Sequence, residues 1–179
     1  MAHRAPKLWA GVSAWVPISD LAAWHTFCKA AGYRYADMIE QCCGGPPRTP
    51  QTDPQYKKRS PLFHLADARS VPIDIQAGIR DGHGGASVPI SHSLRAFNVL
   101  AKANGHPDRM LSDADVAAMT KKARVPDHLA AETESEPGRK HKVLFRRAAG
   151  PVRITLFDGG HRIDVPPAAN WLAGLKRND

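Results

Sequence analysis

The sequence is poor in the features that mark several protein classes. It has three cysteines, Cys28, Cys42 and Cys43. Their odd number, the adjacency of two of them and the lack of a CxxC pair indicate neither a disulfide framework nor a zinc site. The nearest histidine group, His83 with His92, lacks a third ligand at suitable spacing, so no metal and no other cofactor is expected. No stretch approaches the roughly 18 apolar residues of a membrane span, and Trp9 to Ile18 is too interrupted for a signal-peptide core. Internal repeats, low-complexity tracts and nucleic-acid-binding motifs are absent as well. The net charge of +8 would favour a polyanion only if it were gathered on one face. Instead it is spread over small clusters at Lys57-Lys58-Arg59, Lys121-Lys122 and Arg139 to Lys142, which read as solvated surface. Neither a nucleic-acid partner nor a membrane partner is expected, and nothing assigns a cellular compartment.

What is present is an alternation of apolar segments and helical patterns. Leu8 to Ile18 (LWAGVSAWVPI) reads as a strand buried on both faces, as in a parallel sheet. Ser19-Asp20 supplies a cap for the helix that follows, and Gly32 suits its end. Tyr33 to Cys43 predicts a second helix, and the Pro-, Thr- and Gln-rich stretch 44–60 a loop. Ser60-Pro61-Leu62 opens a short helix ending near Arg69. Val71 to Ile79 (VPIDIQAGI) is the second strand, followed by the glycine-rich loop Arg80 to Ser87. Ile90, Leu94, Phe97, Leu100 and Ala101 stand at helical spacing within Val88 to Asn104. Ser112 caps a helix running to Arg124. Lys142 to Arg147 and Val152 to Phe157 predict two further strands. Pro166-Pro167 opens a last amphipathic helix with Trp171, Leu172 and Leu175 on its apolar side. The expected fold class is therefore α/β, a mainly parallel sheet with flanking helices.

Functional residues of such sheets gather at the C-terminal ends of the strands. Asp81 follows one expected strand and His161 another, each beside glycines that let a loop turn sharply. A carboxylate and an imidazole in that order are two parts of a serine-hydrolase triad, whose chain order in one large class is Ser, then Asp or Glu, then His. Taken singly, Asp81 also reads as a turn residue of an Asp-Gly pair, and His161 as a polar loop histidine.

The tract SPLFHL…VPIDIQAGIRDGHGGASVPISHSLRAFNVL resembles the acid-loop region of prolyl oligopeptidase-like and esterase-like α/β-hydrolases. VRITLFDGGHRIDVPPAANWL is similar to their last strand, histidine loop and final helix. LWAGVSAWVPISDLAAWH resembles the strand and helix that follow the nucleophile's helix. The likeness covers nearly the whole chain except 105–145, which reads as an insertion. It implies that Asp81 is the triad acid and His161 the triad base, acting on an ester or peptide substrate. It also implies a partial α/β-hydrolase fold, the C-terminal portion of a catalytic domain, with the N-terminal strands and nucleophile elbow missing.

The departures decide what such a chain does alone. A G-x-S-x-G elbow would lie upstream of the matched region. The nearest imitation, Gly11-Val12-Ser13-Ala14-Trp15, has Trp where the elbow needs a small residue, so Ser13 reads as a strand serine. Ser87, Ser91 and Ser93 follow the acid loop and are expected to cap or face the next helix. Oxyanion-hole donors would also lie upstream, and Arg162 replaces an acidic residue common in relatives. The expectation is a C-terminal fragment inactive alone, from a truncated or frameshifted gene or from a split enzyme; the alternative is a non-catalytic interaction module or half of a split enzyme completed by an N-terminal half of the same hydrolase.

Overall fold

The structure is a computed structural model that describes residues 2–84, 88–129, 136 and 138–176. Its centre is a four-stranded mixed sheet in the order β1-β2-β4-β3, with β1 at Val12–Trp15, β2 at Ile73–Gly78, β3 at Val143–Ala149 and β4 at Val152–Phe157. β1 and β4 each run parallel to β2, while β3 and β4 form an antiparallel hairpin. The chain is thus α/β with two parallel strand pairs.

Strand alternation gives the sheet two unlike faces. Ile73, Ile75 and Ala77 of β2 and Val152, Ile154 and Leu156 of β4 form one core with Leu94, Phe97, Leu100 and Ala101. Those four lie on the helix α4, Ser91–Ala103. The helix α5, Asp113–Lys122, adds Val116 and Met119 to the same layer. Ser112 caps α5, its hydroxyl accepting from the Asp115 N–H at 3.1 Å.

The opposite face is polar. Asp74 of β2, fully buried, accepts from Arg153 Nε at 2.7 Å and from Gln76 Nε2 at 2.6 Å. Arg153 also reaches Glu136 and lies over the Trp171 ring. Burial alone would raise the Glu136 carboxyl, but hydrogen bonds from Arg146 and Arg139 outweigh it and leave the group lowered. The last helix, α6 at Val165–Ala173, covers this face near β1.

Three expectations need correction. The first strand is shorter than Leu8–Ile18 and is not buried on both faces: Pro6–Leu8 is a 3-10 turn and all four residues of β1 are half-buried. The cause is position, since β1 is the sheet edge and pairs only with β2 among the described residues. Val16, at a φ of 45°, ends it; a β-branched residue in that region is strained. Second, stretch 44–60 is not all loop, because Asp53–Arg59 forms the helix α3, after α1 at Leu21–Ala30 and α2 at Tyr35–Cys43. Tyr56 anchors α3, buried beside Ile39 and Cys43 with its hydroxyl donating to the Gly45 carbonyl at 2.9 Å. Third, Leu172 is exposed; the buried residues of α6 are Pro167 and Ala168.

Asp20 caps α1 by accepting from the Ala22 and Ala23 N–H groups. Ser19 does something else: its hydroxyl donates to the His92 carbonyl at 2.8 Å. His92 Nδ1 in turn accepts from the Ser19 and Asp20 N–H groups, both at 3.3 Å. This ties the start of α4 to the end of the β1 segment and requires a neutral ring. Burial pushes the His92 pKa down from 6.5 to about 4; Asp20 opposes the shift and Arg95 reinforces it. The unfolded chain therefore binds a proton that the folded chain refuses between those values. Stability from this group is complete above pH 6.5 and is lost as pH falls toward 4, by up to about 3 kcal/mol. Urea midpoints should accordingly fall more steeply across that window in the native chain than in His92→Asn.

Candidate functional site

The site is built where β2 and β4 end. Their parallel register places Gly78 beside Phe157, and the ladder continues past both strand ends. The Ile79 N–H donates to the Phe157 carbonyl and the Arg80 N–H to the Gly159 carbonyl, each at 2.9 Å. An Arg80–Asp158 ion pair bridges the same two loops. Gly78 permits the approach, since a Cβ there would lie 2.3 Å from the Gly160 carbonyl oxygen and 2.5 Å from Gly159 backbone atoms.

This zippering brings together the two residues singled out from the sequence. His161 Nδ1 lies 3.0 Å from Asp81 Oδ2 and 3.3 Å from Oδ1. Asp81 is buried, whereas the His161 side chain is 42% exposed. Burial pushes the Asp81 pKa up, and the Val88 N–H, which donates to Oδ1 at 3.1 Å, and His161 partly offset this. A buried carboxylate beside one imidazole nitrogen holds the Nδ1–H tautomer and stabilises the imidazolium if Nε2 takes a proton. Among the described residues Nε2 has no hydrogen-bond partner, so the ring is held on one side and open on the other.

His161 opens onto a cleft of about 620 Å³ lined by Arg80, His83, His141, Asp158, Gly159 and Arg162, among others. The described lining contains no serine, threonine or cysteine. Ser13 lies within β1, facing Asp74 Oδ2 at 3.4 Å and accepting from Trp15 Nε1 at 2.9 Å. It therefore sits on the polar sheet face, in mid-strand and half-buried. Ser91 begins α4 without capping it, Ser93 is buried, and Ser87 lies outside the described residues.

Two elements around the site had no clear signal in the sequence. The polar face under β2 and β4 depends on Asp74 and Arg153, which are 79 positions apart. His141, stacked on Phe157 at 5.7 Å, enters the cleft wall from the far side of the hairpin. Only the glycines flanking Asp81 and His161 marked those loops as places of close approach. No protein-family model, curated protein or solved structure matches the chain, so the site's geometry and its residues carry the functional reading by themselves.

Proposed function

We propose that this chain carries the acid–base half of a serine hydrolase of the α/β-hydrolase type, prolyl oligopeptidase-like or esterase-like, acting on an ester or peptide bond. The observation that carries the reading is the Asp81–His161 contact at the C-terminal rim of two parallel strands. His161 Nε2 accepts the proton of a serine hydroxyl as that oxygen attacks the carbonyl, then returns it to the leaving group. Asp81 stays ionised and balances the imidazolium. The nucleophile and the oxyanion donors come from an N-terminal half, and the chain alone is inactive.

The open edge of β1 supports the same reading. Among the described residues β1 pairs on one side only, and such an edge can take another strand along its outer backbone groups. Beside it an apolar groove of about 320 Å³ runs between the sheet and α4, lined by Val12, Ala14, Ile73, Ile75, Ala96 and Leu100. The same edge also favours the second reading, a non-catalytic module that binds through its sheet.

Fluorophosphonate labelling and ester hydrolysis separate the two readings. The isolated chain should neither label nor turn over substrate, whereas the chain completed by an upstream half bearing a G-x-S-x-G elbow should do both, with the label on the elbow serine. Labelling of the isolated chain at Ser13 would overturn the assignment. A completed chain that stays inert favours the binding module.

A further inference from the structure

Away from the Asp81–His161 cleft, three potential ligands converge from distant parts of the chain. His3, His64 and Asp67 each place one ligand atom within 4.8 Å of the others. Local geometry aligns two of them. His64 follows the 3-10 turn Pro61–Phe63 and Asp67 lies in the next one, Leu65–Ala68. Residues three apart eclipse in a 3-10 helix, and the Asp67 N–H donates to the His64 carbonyl at 3.1 Å, closing one such turn. His3 arrives from the N-terminal segment and stacks on His64, with ring centroids 5.1 Å apart and planes 18° from parallel.

The surroundings favour ligation. His64 Nε2 lies 3.2 Å from the Lys57 carbonyl. Metal-binding histidines commonly donate their second ring N–H to a backbone carbonyl, which fixes the tautomer and frees the other nitrogen's lone pair. Here the proton on Nε2 leaves Nδ1 to bind.

We propose that His3, His64 and Asp67 form a divalent-metal site of the Zn²⁺ class. Two imidazole nitrogens and one carboxylate oxygen suit zinc better than calcium or magnesium, which prefer oxygen shells. A tetrahedral shell with bonds of about 2.0–2.1 Å spaces its ligands by about 3.3 Å. Asp67 is exposed and both histidines are half-buried, so side-chain rotation has room to close the difference. Water completes the shell. The ion staples the N-terminal segment to the turns after α3, and since His3, Pro61 and Leu65 all line the apolar groove beside β1, it fixes one wall of that groove.

The test is a Zn²⁺ titration of the full chain by calorimetry, with Co²⁺ absorption spectra as a second readout. One saturable equivalent should bind, with visible d–d bands for Co²⁺ and a higher melting temperature in Zn²⁺. His64→Ala and Asp67→Asn should each weaken binding on the order of 100-fold. His128→Ala, which alters an exposed histidine paired with Asp115, should leave it unchanged. Circular dichroism of the metal-free variants reports folding, and Asp67→Asn changes an exposed side chain, so a folded test protein is secured. The proposal fails if no saturable equivalent binds, if the site survives both ligand substitutions, or if His128→Ala removes it equally.

Discussion

On the proposed hydrolase reading, His161→Ala in the chain completed by an upstream half should lower kcat by at least about 10⁴-fold and leave KM nearly unchanged. The base acts only while the serine proton is in flight, so its loss removes stabilisation specific to the transition state. Asp81→Asn should cost a comparable factor, about 10⁴-fold, because an amide can donate to Nδ1 and present the wrong tautomer to the nucleophile. The two losses should not add, since both residues serve one proton transfer. In the isolated chain, Asp81→Asn should remove the low-field Nδ1–H proton resonance of His161, a readout that needs no substrate. Steady-state kinetics on the completed enzyme would sink the proposed roles if both variants kept activity within tenfold of the native protein.

Gly78→Ala should cost about 3 kcal/mol or more, the upper end of what overpacking usually does. The added methyl would meet the Gly159 and Gly160 backbone at 2.3–2.5 Å, and backbone atoms cannot rotate aside as a side chain would. Relief requires the β4 loop to move away from β2, which lengthens the Asp81–His161 contact as well. Urea unfolding measures the first effect and the His161 resonance the second, while activity of the completed enzyme falls with it. A Gly78→Ala protein with a native midpoint and an intact resonance would mean that the two loops do not touch as described.

The elements legible in the sequence are those whose signals are local. Ile90, Leu94, Phe97, Leu100 and Ala101 repeat at helical spacing and all are buried, four of them on α4. Ser112 announced α5, and the glycines beside Asp81 and His161 marked loops able to approach one another. What escaped depends on partners distant in the chain. α3 lies in a stretch rich in Pro, Thr and Gln, and its anchor is Tyr56 packed on residues of α2. The apolar run Leu8 to Ile18 could not say where its strand stops, because a 3-10 turn and a strained Val16 share its composition. Nor could it say that β1 would be an edge, since edge position is a property of the assembled sheet. A histidine three positions before an aspartate becomes a possible ligand pair only when the backbone is a 3-10 turn, and His3 gives no hint of where it will lie.

The ionic pair beneath the sheet has a bearing on the cleft above it. Asp74 and Arg153 occupy matched positions of β2 and β4, the same strands whose ends lead into Asp81 and His161. Sliding one strand by a single residue would exchange its faces, but a slide of two keeps oily side chains toward α4 and would pass unpunished by hydrophobicity alone. Such a slide would strand a carboxylate with no exposed surface, at a cost of about 3–5 kcal/mol for a buried charge deprived of its partner. It would also carry His161 roughly 6–7 Å past Asp81, at about 3.3 Å per residue. The charged pair thus works as a notch that sets the lengthwise alignment of the two strands, and with it the spacing between that carboxylate and that imidazole.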